Sequence, residues 1–217
     1  MTKRLIVACL VLGTVQTTRA ANIQYRPSMG ISKQLTNEWK LVFSDGVRFR
    51  NSEHDLYYNQ TDLGLIYSGL TPWLDISSSM KWATQEDDQG HWQQEVRPYL
   101  DATIKWQAAG LKLSDRSRLE YRQREADVDV WRFRNHIKAQ FPWEWSRWRL
   151  KPYMADEVYF RLDGSGLFRN RTFGGVTMPI GKRLKGSLYY FWDNTKDDNS
   201  GEWTELNAFG VKLSCAF

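Results

Sequence analysis

The sequence predicts an all-β fold: a single closed, antiparallel, up-and-down β-barrel of about ten strands that crosses a membrane. Three observations lead to this prediction. Polar and apolar residues alternate over long segments, the tryptophans cluster near the ends of those segments, and the last segment ends in a phenylalanine. No apolar run after residue 20 approaches the roughly 18 residues that a membrane-spanning helix needs.

The first 20 residues have the composition of a secretory signal peptide. Two basic residues precede a mostly apolar stretch, Leu5–Val15, and a small residue, Ala20, ends the segment. We therefore expect residues 1–20 to be removed on export. Residues 21–36 are then expected to form an N-terminal periplasmic segment, and residues 37–217 the transmembrane barrel.

Charge and cysteine content agree with export. The leader contains three basic residues and no acidic one, so 27 basic and 25 acidic residues follow it. A net charge of about +2 does not favour binding to nucleic acid. Cys9 lies in the leader and Cys215 is the one cysteine after it, so no internal disulfide is possible.

The alternation is clearest in residues 92–107, where one face is apolar and the other polar. Trp92, Val96 and Leu100 belong to the apolar face, and the other face is mostly charged or amide-bearing. This period of two is typical of a β-strand and continues well beyond the usual five or six residues. Ten such strands are predicted, at 37–50, 55–69, 73–84, 91–107, 111–124, 128–141, 147–162, 167–180, 183–194 and 203–217.

A soluble β-sandwich would also alternate, but the tryptophans favour a membrane barrel. One set lies at one group of strand ends: Trp39, Trp73, Trp106, Trp143, Trp145 and Trp148. The other set lies at the opposite ends: Trp82, Trp92, Trp131, Trp192 and Trp203. Membrane interfaces select such girdles because indole has an apolar body and a polar N–H. Closure follows, because an open sheet edge in hydrocarbon leaves backbone groups unpaired.

The lengths of the connections orient the predicted barrel. The connections 69–73, 107–110 and 180–183 are short, as periplasmic turns are. Those at 84–91 and 194–203 are longer and acidic, which is typical of extracellular loops. Ten strands in this orientation would leave both chain termini on the periplasmic side.

The last strand carries a pattern of its own. Phe209, Val211, Leu213, Cys215 and Phe217 form one apolar face. Together with a glycine seven residues before the end, this resembles the signal that the outer-membrane barrel assembly machinery reads. The residues that carry the resemblance are Gly210, Leu213 and Phe217.

Several short motifs are similar to those of the bacterial domain-of-unknown-function family 2490. They include Asp62–Tyr67, Arg97–Tyr99, Leu113–Arg118, Pro152–Glu157 and Asn170–Arg171. The resemblance spans most of the chain after the leader and implies an outer-membrane barrel. It supplies no activity, so function must be argued from the residues.

The predicted lumen is crowded with charge. If residues 107–110 form the turn, three pairs of opposite charge face each other: Glu95–Arg122, Arg97–Glu120 and Asp101–Arg116. Across a later hairpin, Glu157 faces Arg171. Cross-strand pairs of this kind compensate charges that would be costly if buried alone. One interpretation is therefore a plugged, self-neutralised lumen.

An excess of basic side chains on two neighbouring strands supports a second interpretation. The inward positions are Lys112, Arg116, Arg118, Arg122, Arg124, Arg132, Arg134 and Lys138, with Glu120 the one clear acid among them. Such a wall suits a small anion or a phosphate group. Asp156 is a separate anomaly, because regular alternation turns this carboxylate towards lipid and requires a β-bulge or a local partner.

A cell-surface hydrolase is the alternative from another functional class. Omptin-like proteases use acidic and histidine residues at the extracellular rim, and Asp87, Asp88 and His91 lie together on one predicted loop. His136 could act as a base in a lipid hydrolase, with Ser114 or Ser117 as nucleophile by strand proximity alone. The sequence contains no spacing typical of metal ligands and no glycine loop for a cofactor phosphate.

The sequence thus predicts an integral protein of the outer membrane of a Gram-negative bacterium. Its barrel is narrow or plugged, with a structural, small-anion-passing or ligand-sensing role. The expected partners are outer-membrane lipids, lipopolysaccharide and the barrel assembly machinery. No nucleic acid, metal or cofactor is expected, and the oligomeric state is left open.

Overall fold

The computed structural model describes residues 23–50, 55–87, 89–125, 128–197 and 200–217. In these ranges the chain forms one closed barrel of 11 strands. The strands are β1 Ile23–Gln34, β2 Trp39–Arg50, β3 Leu56–Thr71, β4 Leu74–Glu86, β5 Trp92–Ala108, β6 Leu111–Arg124, β7 Val130–Gln140, β8 Lys151–Arg161, β9 Gly166–Pro179, β10 Leu184–Lys196 and β11 Trp203–Ala216. None of the described residues belongs to a helix of the length and apolarity needed to traverse a membrane.

Each strand pairs with its sequence neighbours in antiparallel fashion, and β1 closes the barrel on β11. This closing pair is parallel, with a register that runs from Ile23 opposite Asn207 to Ser32 opposite Ala216. We call the end of the barrel at which β1 and β11 begin the upper end. The lower end carries Phe217 and the connections β1–β2, β3–β4, β5–β6, β7–β8 and β9–β10.

The prediction that residues 21–36 precede the barrel is wrong, because β1 lies within that segment. Its outward residues Tyr25, Met29 and Ile31 alternate with inward ones such as the buried Arg26. The strand predicted as the tenth is therefore β11, the eleventh strand of the barrel. An odd number of strands places Ile23 and Phe217 at opposite ends of the barrel, so the prediction that both termini share one side is also wrong.

The β5–β6 hairpin is tighter than the sequence suggested. Its turn consists of Ala109 and Gly110, whose φ angles are 50° and 79°, as two-residue hairpin turns that match strand twist require. Trp106 consequently pairs with Leu113, and Asp101 with Arg118. The predicted pairing of Asp101 with Arg116 is wrong by this two-residue difference in register.

The two faces of the barrel differ in polarity, as the alternation predicted. All 11 tryptophans are exposed, between 39% and 59%, and they lie towards the two ends of the strands. The outer face between them carries large apolar side chains, including Leu100, Leu188 and Val211. The buried side chains are instead mostly tyrosines and charged residues that point into the lumen. The protein therefore has a polar interior and an apolar exterior.

Candidate functional site: the charged lumen

The centre of the lumen is organised around buried carboxylates. Glu120 on β6 is fully buried, and Glu157 on β8 and Asp193 on β10 are 3% and 1% exposed. They point inward because they occupy the polar positions of their alternating strands. Each is surrounded by guanidinium groups from its own or neighbouring strands, so the lumen wall is a layer of ion pairs.

Glu120 has four arginines around it. Arg134 Nη1 lies 2.7 Å from Oε1, and Arg132 Nε donates to Oε2 at 2.7 Å. Arg118 and Arg97 approach at 3.5 and 3.9 Å. A carboxylate without water needs partners of this kind, because an unpaired buried charge is very costly.

Glu157 and Asp193 share one arginine. Arg171 Nε lies 2.8 Å from Asp193 Oδ2, and Arg171 Nη1 lies 4.0 Å from Glu157 Oε2. Arg169 Nε donates to Asp193 at 2.6 Å, and Arg116 lies 3.0 Å from Glu157. The ion pairs therefore continue across β6, β8, β9 and β10 without a break.

The other carboxylates of the predicted charge network lie on β5. Glu95 accepts hydrogen bonds from Arg122 Nε at 2.6 Å and from Arg97 Nε at 2.8 Å. Asp101 accepts a bidentate pair from Arg118, at 2.5 and 2.9 Å. Arg122 reaches Glu95 even though the residue opposite Glu95 is Arg124, because the long side chain spans one diagonal step.

Tyr159 lies at the junction of these ion pairs. Its ring is within 4.6 to 5.7 Å of four guanidinium groups, those of Arg132, Arg134, Arg169 and Arg171. Its hydroxyl donates to Glu157 at 2.5 Å and accepts from Arg171 at 2.6 Å. Sequence reasoning missed Tyr159, Asp193, Arg169 and Arg26. The alternation of β8 already marked Tyr159 as inward-facing.

Three cavities follow one another through the lumen. An upper cavity of about 210 Å³ is lined by Lys81, Arg97 and Arg132 among others. A central cavity of about 410 Å³ shares Arg48, Gln60 and Arg171 with it. A lower cavity of about 650 Å³ at the lower end shares Thr177 and Lys185 with the central one. Neighbouring cavities are therefore contiguous along their walls.

The cavity linings are cationic. The central cavity is lined by Arg26, Arg48, His136, Lys138, Arg171, Lys185 and Lys212. Among the residues that the structure describes, no aspartate or glutamate lines any of these three cavities. The short carboxylates are held in the wall, whereas the longer basic side chains extend into the open space. The lumen therefore presents positive charge to any solute that enters it.

Of the residues predicted for a hydrolase, the structure describes Asp87, His91 and His136, and it places the first two at the upper rim and the third in the central cavity. Asp88 lies outside the described residues. His91 Nδ1 lies 3.7 Å from Asp87 Oδ2 at the upper rim, but Asp87 Oδ1 caps the loop by accepting from the backbone N–H of Gln89 and His91, at 2.9 Å each. The hydrogen bond from the backbone N–H of His91 is the main reason that the pKa of Asp87 is lowered.

His136 projects into the central cavity from β7, and its ring packs edge-on against Phe173. Ser117 lies on the outer face of β6, where Asn135 donates to it at 3.2 Å, so it does not share a face with His136. No group of three potential metal ligands occurs in the described parts of the chain. Ser114 lies on the inward face of β6 opposite Lys138, two residues from the position that pairs with His136, and no hydrogen bond joins it to His136 in the described residues.

Asp156 is on the outer face, with local partners. Its Oδ1 accepts from Asn170 Nδ2 at 3.0 Å, and its Oδ2 accepts from Thr172 Oγ1 at 2.8 Å. The bulge of β8 lies farther along, at Tyr159–Phe160. The carboxylate is therefore compensated by hydrogen bonds on the outer surface.

The residues of the predicted assembly signal lie along β11 and the parallel seam. Gly210 faces the lumen beneath the ring of Tyr189, while Leu213 is exposed on the outer face. Phe217 extends the seam, because its N–H donates to Ser32 O at 2.9 Å and its carbonyl accepts from Gln34 N–H at 3.0 Å.

Comparison with known proteins agrees with the barrel architecture. The model of the family described as proteins of unknown function, DUF2490, matches residues 27–204, so the chain belongs to this family. A crystal structure of the beta domain of the Bordetella autotransporter BrkA is similar, with a TM-score of 0.52 and 9% identity. The similarity covers 85% of this chain and 86% of that one, and at this identity it shows the fold alone. Curated protein sequences give no match.

Proposed function

We propose that this DUF2490 protein is an integral barrel of the outer membrane of a Gram-negative bacterium, and that its narrow basic lumen admits small anions. The outer-membrane location is supported by the two tryptophan girdles, the apolar outer face and the similarity in fold to the Bordetella beta domain. In this setting, outer-membrane lipids and lipopolysaccharide surround the barrel. The assembly machinery engages the strand that ends at Phe217.

The cationic linings of the three contiguous cavities carry the proposal. A cavity lined by charges of one sign within low-dielectric surroundings focuses the potential and raises the local concentration of counter-ions. Guanidinium groups also bind oxyanions in a bidentate manner. A phosphate-sized solute inside the lumen would therefore replace water around several cations at once.

The ion-pair layer limits the size of the solute. Arg132 and Arg134 are fixed between Glu120 and the ring of Tyr159, so the wall of the 210 Å³ upper cavity is rigid. The lower cavity is wider, and its mouth carries Lys112, Arg149, Lys151, Lys182 and Arg183. Anions are thus expected to enter easily from the lower end and to meet a narrow passage above.

Recording from the purified full-length protein in a planar lipid bilayer tests this function. With a KCl gradient, we expect openings whose reversal potential has the sign of chloride selectivity. Added inorganic phosphate should reduce the chloride current. A silent bilayer at protein levels confirmed by quantification, or cation-selective openings, would contradict the proposal.

A pair of variants sharpens the experiment. Lys185→Glu places a carboxylate where the central and lower cavities meet and should weaken or reverse the anion preference. Lys33→Glu makes the same change of charge at an exposed position of β1 and should leave the reversal potential unchanged. Equal behaviour of the two variants would mean that the lumen cations do not set selectivity.

A further inference from the structure

The outer face of β6–β9 carries polar side chains halfway along the strands. Asp115, Ser117 and Asn135 form one cluster on β6 and β7, in which Asn135 Nδ2 donates to Asp115 at 2.6 Å and to Ser117 at 3.2 Å. Asp156, Asn170 and Thr172 form the second cluster, on β8 and β9. We call the two together the outer polar patch.

The patch is continuous across the four strands. Asp115 pairs with Ile137, Ile137 with Asp156, and Asp156 with Thr172. The neighbouring row runs from Ser117 through Asn135 and Val158 to Asn170. Elsewhere the outer face halfway along the strands is mostly apolar, as at Leu63, Leu100 and Val211. A smaller polar pair occurs on β2 and β3, where Thr61 Oγ1 donates to Asp45 at 2.7 Å.

In the proposed membrane location, the outer polar patch would face hydrocarbon. The hydrogen bonds within the patch do not fill all the acceptor sites of its two carboxylates. An ionised carboxylate offers about four acceptor sites. In the described residues, side chains donate to Asp115 once and to Asp156 twice. Charged groups on the lipid face are costly towards the bilayer midplane. A covering surface that donates hydrogen bonds would stabilise the patch.

We infer that the outer polar patch is an interface between two copies of this chain. Each cluster contains one aspartate, one asparagine and one hydroxyl, so the two clusters on either side of the β7–β8 pair have the same composition. A two-fold axis passing between β7 and β8 sets each cluster against the other cluster of the second copy. Asn170 has a second amide hydrogen to offer to Asp115 of the second copy, and Ser117 has its hydroxyl hydrogen.

The size of the face fits this occupant. Four strands spaced at about 4.8 Å, each roughly 35 Å long, cover on the order of 650 Å² per copy. Specific interfaces bury about 800 Å² per partner, which the flanking strands can complete. The apolar Ile137 and Val158 lie beside the axis, where they would pack across it on the second copy.

Disulfide cross-linking in native membranes tests the inference, which rests on the proposed membrane location. Ile137→Cys in a Cys215→Ser background places one thiol beside the proposed axis. Val211→Cys, in the same background, places one of nearly equal exposure on β11, two strands beyond the edge of the patch (46% for Ile137 and 47% for Val211). Mild oxidation should yield a covalent homodimer for the first variant and only monomer for the second.

A second pair of variants tests the hydrogen bonds. Asn170→Leu removes an amide from the patch and should lower the homodimer yield roughly five- to tenfold in the Ile137→Cys background. Asn207→Leu removes an outward asparagine from β11 and should leave that yield unchanged. Migration of the unboiled protein on a denaturing gel reports whether each variant has folded.

The experiment distinguishes failure of the proposed dimer from failure of the proposed membrane location. If the chain does not fractionate with the outer membrane, the proposed location fails. If it fractionates there as a folded barrel but Ile137→Cys stays monomeric, or cross-links to a different protein, only the dimer is excluded. Equal homodimer yields from Ile137→Cys and Val211→Cys would indicate random collision and would also exclude it.

Discussion

The ring of Tyr189 lies directly over the backbone of Gly210, on the neighbouring strand. A Cβ atom at position 210 would overlap Cζ, Cε2 and the hydroxyl oxygen of that ring. The glycine that resembles part of an assembly signal therefore has a packing role as well. It gives the large inward-facing side chain of β10 room to lie flat against β11.

Gly210→Ala should destabilise the folded barrel by about 1–3 kcal/mol, because the ring must move and Tyr189 also stacks with Phe191. Urea unfolding in lipid vesicles, followed by tryptophan fluorescence, measures the change. Gly174→Ala is the matched control, since no atom lies within 4 Å of a Cβ built there. Equal midpoints for the two variants would refute the steric explanation.

Glu120→Gln should destabilise the folded barrel more than Gly210→Ala does. The substitution keeps the shape of the side chain but leaves Arg97, Arg118, Arg132 and Arg134 without their shared negative charge. Breaking a buried ion pair on one side typically costs about 3–5 kcal/mol. The same urea titration should show a loss of that order, whereas Glu202→Gln, at an exposed position of the upper end, should change little. A loss of stability in Glu120→Gln that is no larger than that in Glu202→Gln would mean that the arginines find other partners.

The contacts of Glu144, in the β7–β8 connection outside the strands, should depend on pH. Hydrogen bonds from Arg149, at 2.8 and 3.0 Å, and an ion pair with Lys151, at 2.9 Å, lower the pKa of Glu144 to about 2. Because this pKa is depressed, the contact of Glu144 with Arg149 and Lys151 is fully present above the ordinary pKa of glutamate. It is lost as pH falls through about 2.

A carboxyl-carbon NMR titration of the β7–β8 connection checks this value. The signal that disappears in Glu144→Gln identifies the residue. We expect its midpoint near 2, and in Arg149→Ala it should move towards the ordinary glutamate range. A midpoint in that ordinary range in the unsubstituted protein would mean that the contact does not persist in solution.

Much of the fold could be predicted from alternation alone. Ten of the 11 strands lie within a few residues of their predicted bounds, because period-two patterning marks most of them, although it is broken in 37–69 and 167–180. The tryptophans were placed correctly at the two ends, since an amphipathic ring has few other stable positions on such a barrel.

The first strand was missed because its pattern is weak. Pro27 and Gly30 interrupt the apolar and polar positions of β1, and proline is a poor strand residue. Its pairing with β11 is also the most distant along the chain, so local sequence does not indicate that pairing. In the structure this strand closes the barrel by pairing with both β2 and β11.

The details of the lumen depend on register, which alternation does not determine. A two-residue turn at Ala109–Gly110 instead of a four-residue one changed the partner of Asp101 from Arg116 to Arg118. Asp193 lies directly opposite Arg171 in the β9–β10 hairpin, and Tyr159 lies opposite Arg134 and Arg169 on its two neighbouring strands. Finding these partners requires the register of each hairpin, which alternation alone does not give.

The parallel seam between β1 and β11 has a consequence for protein engineering. Ile23 and Phe217 lie on opposite rims, so a peptide that joined them would have to run the height of the wall. That height is roughly 30 Å, or about nine fully extended residues. Short-linker circular permutation, which suits barrels with an even number of strands, is therefore geometrically impossible for this one.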